Sequence, residues 1–258
     1  MQSLLRSTQA VLFGAALLTV SIPAQAAETA AETNVAVAAN FTEPAKEIAR
    51  LFEEKTGHKA VLSFGSTGQF YAQITQDAPF TVFLAADAGT PKKAVEEGYA
   101  VSESRFTYAI GKLVLWSKSP TIVAGEDALR NGAFEKLSIA NPKTAPYGNA
   151  AVQAMKKMGV YEALEPKIVQ GNNIAQAFQF VDTNNAEIGF VALSQVIAKG
   201  EGTRWMVPEQ LYEPILQDAV LLKKGADNPA AKAFVEFLKG PEALKVIEKY
   251  GYGTESAS

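Results

Sequence analysis

From residue 35 to residue 250 the chain repeats one unit: a short apolar run, a loop of small polar residues, and an amphipathic stretch with helical spacing. Residues 35–39 show no polar alternation and read as a strand buried on both faces. Asn40-Phe41-Thr42-Glu43-Pro44 then opens a helix, with Pro44 in the first turn, where a missing N–H costs nothing. Phe41, Ala45, Ile48, Leu51 and Phe52 follow on one helical face. Further strands are expected at 59–64, 80–85, 113–116, 137–140, 167–169, 188–193 and 219–222. Helices are expected to Ile74, from Pro91 to Gly98, to about Met158, from Ile174 to Val181, from a Ser194 cap to Ala198, and over 230–250 with a break at Gly240-Pro241. Strands alternating with helices demand parallel or mixed sheets covered on both faces.

The pattern restarts after Trp116, which predicts two lobes rather than one sheet. Crossovers fall near residues 113–117 and 212–217, so lobe I comprises 33–112 and 217–254 and lobe II comprises 113–216. A polar tail to about Thr33 is expected to carry no regular structure. The chain before it has the layout of a secretory signal peptide over residues 1–26: Arg6, an apolar run over 11–20, and the small-x-small signal Ala24-Gln25-Ala26. About ten apolar residues are too few to span a bilayer core that needs roughly 20. The chain is therefore expected in the periplasm, cleaved near Ala26, with no cysteine to carry a lipid anchor.

Cleavage removes Arg6 alone, leaving 23 basic and 27 acidic residues and a net charge of −4. No basic run or stripe offers nucleic acid a footprint. An anion could be held only by a local arrangement. The absence of cysteine excludes thiolate metal sites and cysteine nucleophiles.

In open α/β sheets ligands gather beyond the carboxyl ends of strands, where helix N-termini offer unpaired N–H groups and roughly half a positive charge. Four such starts carry hydroxyls, amides or glycines: Asn40, Ser66-Thr67-Gly68, Tyr147-Gly148-Asn149 and Asn173-Ile174. Each could equally be a helix cap. Gly65-Ser66-Thr67-Gly68 is the least explicable as a cap alone, since two glycines let backbone approach a ligand; no Gly-Lys-Ser/Thr follows to make it a P-loop. Catalytic readings find little support. His58 is the sole histidine and lies in a polar turn, which predicts a surface residue, and no Gly-x-Ser-x-Gly elbow is present. Glu53-Glu54 and Glu96-Glu97 read as solvated helix faces, and Trp116 and Trp205 as core or hinge packing.

At these loops the sequence resembles the molybdate-binding proteins of molybdenum ABC importers, class II periplasmic binding proteins. The similarity runs from Val35-Ala36-Val37-Ala38-Ala39-Asn40-Phe41 and Ser63-Phe64-Gly65-Ser66-Thr67-Gly68, through Phe83-Leu84-Ala85-Ala86-Asp87 and Ile188-Gly189-Phe190-Val191, to the Lys232–Pro241 stretch and Tyr250-Gly251-Tyr252. It implies mixed sheets flanked by helices, a cleft between two lobes, and an oxyanion held there by neutral donors. The matching positions are Asn40, where many members have serine; Ser66; Tyr147, in the Pro-x-x-x-Pro-x-Gly turn; Ile174, a backbone donor opening a helix; and Ala192, where some members have a tyrosine. Because Ala192 has no phenol, Tyr147 would supply a hydroxyl from the opposite side.

The resemblance implies a non-enzymatic monomer with no cofactor, whose only metal is the molybdenum of bound molybdate, with tungstate as a second ligand, and whose partner is the membrane permease. Molybdate at neutral pH offers acceptors only, and no loop carries a carboxylate at a matched position to receive a ligand proton. Asp87 is the nearest, and it could cap the next helix. Sulfate, phosphate or a small organic anion stays open as a ligand. An organic anion would ordinarily need an arginine, and none of Arg6, Arg50, Arg105, Arg130 or Arg204 lies in these loops. An exported α/β hydrolase would need a nucleophile–base pair that His58 is poorly placed to complete.

Overall fold

The structure, a computed structural model, describes residues 30–254. The leader and its cleavage signal lie outside them. Ten strands and ten α-helices alternate along the described chain. The first half supplies β1 (Glu32–Ala38), α1 (Thr42–Thr56), β2 (Lys59–Gly65), α2 (Thr67–Thr75), β3 (Val82–Leu84), α3 (Gly89–Glu96), β4 (Phe106–Gly111) and β5 (Leu113–Ser117). There follow α4 (Glu126–Asn131), β6 (Leu137–Ala140), α5 (Pro146–Lys157), α6 (Tyr161–Leu164), β7 (Ile168–Gly171) and α7 (Ile174–Asp182). The remainder is β8 (Ile188–Ala192), α8 (Leu193–Val196), β9 (Thr203–Met206), β10 (Ile215–Leu221), α9 (Pro229–Lys239) and α10 (Pro241–Lys249).

The strands form two five-stranded mixed sheets, β2-β1-β3-β10-β4 and β7-β6-β8-β5-β9. In each, the first strand of a parallel trio lies at its centre, and one antiparallel strand joins the trio to an edge strand. The chain passes between sheets twice: from β4 through Lys112 into β5, and from β9 back into β10. This is the two-lobe α/β architecture of periplasmic binding proteins, with helices on both faces of each sheet.

Local rules explain the elements. β1 buries Val35, Ala36, Val37 and Ala38 because both its faces are covered. α1 places Ala45, Ile48 and Phe52 against the first sheet and stops at Gly57, whose φ of 72° lies in the left-handed region and whose N–H closes on the Glu53 carbonyl. Phe52 meets Phe234 of α9 edge-to-face at 5.2 Å. Trp116 of β5 stacks on Phe178 of α7 at 5.4 Å, so it is core.

Some expectations are corrected. Two short strands, β4 and β9, were absent from the sequence reading. Thr33 is buried within β1, its hydroxyl 2.7 Å from that of Thr81, so the polar tail ends before it. His58 is buried, 3% exposed: its Nδ1 accepts the Ala31 N–H and its ring tilts against Phe52. Ser194 lies inside α8, whose cap is Ala192. Among the described residues no helix is long and apolar enough to cross a membrane.

Candidate functional site

A cavity lies between the lobes, where the 3-10 turn Ala39–Phe41 after β1 and the starts of α2, α5 and α7 converge. Asn40, Ser66, Tyr147 and Ile174 all line it, together with Thr67 and Asn173. Ala192 does not. It is fully buried at the end of β8, and its N–H donates to Gln195 Oε1 at 2.9 Å, so it has no donor to offer. None of the twelve lining residues is charged.

The helix starts behave differently from one another. Asn173 is a true cap, its side chain accepting the Gln176 N–H at 3.0 Å. That leaves the N–H of Ile174, at the first position of α7, outside the helix's own bonding. Ser66 stands at the cap position of α2 but makes no cap bond. Its Oγ is buried without a hydrogen-bond partner among the described residues, a condition shared only with Thr144 Oγ1. A buried hydroxyl left unpaired costs about 1–3 kcal/mol, which marks Ser66 as a group awaiting an acceptor. Neighbouring Thr67 accepts the Ala86 N–H at 2.9 Å and anchors α2 to the loop after β3.

Asn40 is held from several sides. Its Nδ2 donates to Gln217 Oε1 at 2.8 Å and to the Tyr252 hydroxyl at 3.0 Å, while its carbonyl accepts from Tyr252 at 2.7 Å and Ser194 at 2.8 Å. Both side-chain hydrogens are thus committed, and Asn40 can offer the cavity its main-chain N–H. Tyr147, 1% exposed, accepts from Gln217 Nε2 at 3.1 Å. Burial, then the neighbouring phenols of Tyr252 and Tyr108, push its pKa well above the ordinary value. A phenol holds its proton at neutral pH in any case, so the hydroxyl can donate there.

The lobes touch across the cleft through the Gly68 N–H on the Thr144 carbonyl at 2.9 Å and through Ser194 on Asn40. A Cβ at Gly68 would lie 3.1 Å from Thr144 Cα, so this glycine lets lobe approach lobe. Asp87 stands at the mouth of the cleft, one residue before the Ala88 cap of α3, and accepts from Thr90 N at 2.6 Å and Thr90 Oγ1 at 3.1 Å. Burial raises its carboxyl pKa despite those two bonds. No carboxylate lines the cavity, and no group of three or more metal-ligating residues occurs among the described residues. Neutral donors, three helix N-termini and the lack of a carboxylate suit an anion without a titratable proton.

No local pattern brings Gln217, Tyr252, Ser194 and Gly111 to the cavity: Gln217 precedes the expected strand 219–222, Ser194 reads as a helix cap and Tyr252 as part of a terminal motif.

Comparison with known proteins agrees with this geometry. The family model described as bacterial extracellular solute-binding protein matches residues 33–253. The chain is 61% identical over 241 residues to the Rhodobacter capsulatus protein named molybdate-binding protein ModA, covering 93% of this chain and 94% of that one. It is likewise 61% identical over 233 residues to the Azotobacter vinelandii protein of the same name, covering 89% and 92%. A solved structure of an Azotobacter vinelandii periplasmic molybdate-binding protein superimposes with a TM-score of 0.83 at 40% identity, covering 87% of this chain and all of that one. Two lobes, a donor-lined cleft and this kinship make the chain a solute-binding protein rather than an enzyme, a member of the bacterial extracellular solute-binding protein family that groups with the proteins named molybdate-binding protein ModA.

Proposed function

We propose that this chain is the periplasmic binding component of an ABC importer, that it holds molybdate or tungstate in the interlobe cleft, and that it hands the anion to a membrane permease. The observation that carries the reading is the orphaned Ser66 hydroxyl, buried on a cavity free of charged side chains. Ser66, the phenol of Tyr147 and the main-chain N–H groups of Asn40 and Ile174 form the donor set. Charge-assisted bonds contribute about 1.5–3 kcal/mol each, so several fixed donors hold a dianion without a cation. The names of the 61%-identical relatives support the choice of anion. The protein acts as a monomer without a cofactor, reaches the periplasm by the leader of residues 1–26, and takes up its ligand when the lobes part at the two crossings between sheets.

Ser66→Ala tests the site. It should raise the molybdate dissociation constant about 10- to 150-fold, the equivalent of one charge-assisted bond, with the circular dichroism spectrum unchanged. Calorimetry that found the same constant for both proteins would remove Ser66 from the site, and absence of binding by the parent chain would remove the reading itself.

A further inference from the structure

We propose that Gln217 is a positioning residue that fixes the hydroxyl of Tyr147 as a donor toward the bound oxyanion. The inference rests on the molybdate reading above and extends it beyond the residues that line the cavity.

Gln217 is fully buried in β10, the strand by which the chain re-enters the first sheet, beside an irregularity in its pairing with β4. It links Asn40 and Tyr108 of the first lobe to Tyr147 of the second. The direction of these bonds follows from counting protons. Tyr252 has one, and its shortest contact is the Asn40 carbonyl at 2.7 Å. Its lone pairs then face the Asn40 side chain 3.0 Å away, which demands that Asn40 present Nδ2 there rather than Oδ1. The other Nδ2 hydrogen points to Gln217 at 2.8 Å, so Gln217 presents its oxygen to Asn40. Its Nε2 consequently faces Tyr147.

With a lone pair occupied by that N–H, the Tyr147 hydroxyl cannot give its proton to Gln217. The Tyr252 oxygen next to it can hold that proton in the absence of a ligand, but a dianion is the stronger acceptor. Reversal of the Gln217 amide would turn the phenol's lone pairs toward an anion and repel it. Tyr252 and Asn40 together oppose that reversal, so the relay Tyr252–Asn40–Gln217–Tyr147 sets the polarity of the site from behind.

Gln217→Glu tests this with nearly the same shape. The groups facing position 217 are the Asn40 amide, with Tyr252 beyond it, the phenols of Tyr108 and Tyr147 and, next along the strand, Asp218, which is bound to Arg105 and Thr107. The carboxyl of this variant, while neutral, can still donate to Tyr147; once ionised it can only accept the phenol's proton. Burial at position 217, with Asp218 next to it, lifts the carboxyl of this variant from the ordinary value of about 4 toward neutrality. Between about pH 6 and about pH 9, the parent chain should hold molybdate with a constant affinity. Q217E should match it within a few-fold at the acid end and lose at least about tenfold in affinity at the alkaline end. Gln217→Met, which cannot titrate, should be weakened at every pH alike. In a Tyr147→Phe background the pH dependence added by Q217E should shrink to the remainder set by repulsion between carboxylate and dianion, since no hydroxyl remains to be turned. A Q217E profile parallel to the parent's, a Q217M affinity equal to the parent's, or a pH dependence undiminished by loss of the Tyr147 hydroxyl would each overturn the assignment. Failure of the parent chain itself to bind molybdate would strike the functional reading instead.

Discussion

Replacing Gly111 by alanine should weaken molybdate binding about a hundredfold or more while the fold persists. Gly111 ends β4 at the first crossing, and a Cβ there would lie 2.2 Å from the Tyr147 hydroxyl oxygen, 2.6 Å from Gln217 Nε2 and 2.9 Å from Tyr147 Cζ. No real Cβ tolerates such distances, and with both neighbours buried the phenol can yield only toward the cavity. Its φ is not in the left-handed region, so the backbone itself accepts alanine. The methyl group must therefore push the phenol out of position. A hundredfold loss corresponds to about 2.7 kcal/mol, within the range for one charge-assisted bond to a dianion. Calorimetry checks it, with circular dichroism as the control on folding. An unchanged affinity would mean that Tyr147 does not hold the ligand by its hydroxyl.

Trp116→Ala should act on stability and leave binding alone. Trp116 is 1% exposed, stacks on Phe178 and packs with Val181, Val191 and Val196 on the face of the second sheet whose buried cluster excludes Tyr147 and every other cavity-lining residue. Truncating a buried tryptophan removes about 3–5 kcal/mol. For a chain of this size that lowers the melting temperature by roughly 10 °C. At a temperature where the variant is folded, its molybdate affinity should stay within about threefold of the parent's. A melting temperature that hardly moved would show that this cluster does not hold the second lobe together.

The two-sheet architecture was legible because strands buried on both faces announce themselves as unbroken apolar runs, as in residues 35–39 and 188–193. β4 and β9 were not. β4 mixes Thr107 and Tyr108 with apolar residues and ends in Gly111, and β9 is a four-residue edge strand with half-exposed side chains. Helix starts were legible as a class, and four of the five expected positions meet at one cavity. Which of them are caps was not legible, because a cap and a ligand donor use the same residue types; geometry separates Asn173, which caps, from Ser66, which does not. His58 sits in a polar turn, yet its ring folds under α1, a packing choice that no local pattern encodes. The Gln217 relay is the least legible part. It joins residues 40, 147, 217 and 252, whose distance along the chain hides their contact, and its chemistry depends on which way each proton points.

The central claim is that neutral donors between the lobes select a tetrahedral dianion of molybdate size. Calorimetric titration of the parent chain with molybdate, repeated in about a hundredfold excess of sulfate, tests it most directly. A saturating single-site isotherm that survives the sulfate is the expected result. An isotherm abolished by sulfate in proportion to its concentration would show a cleft that cannot tell the two anions apart, and would contradict the account.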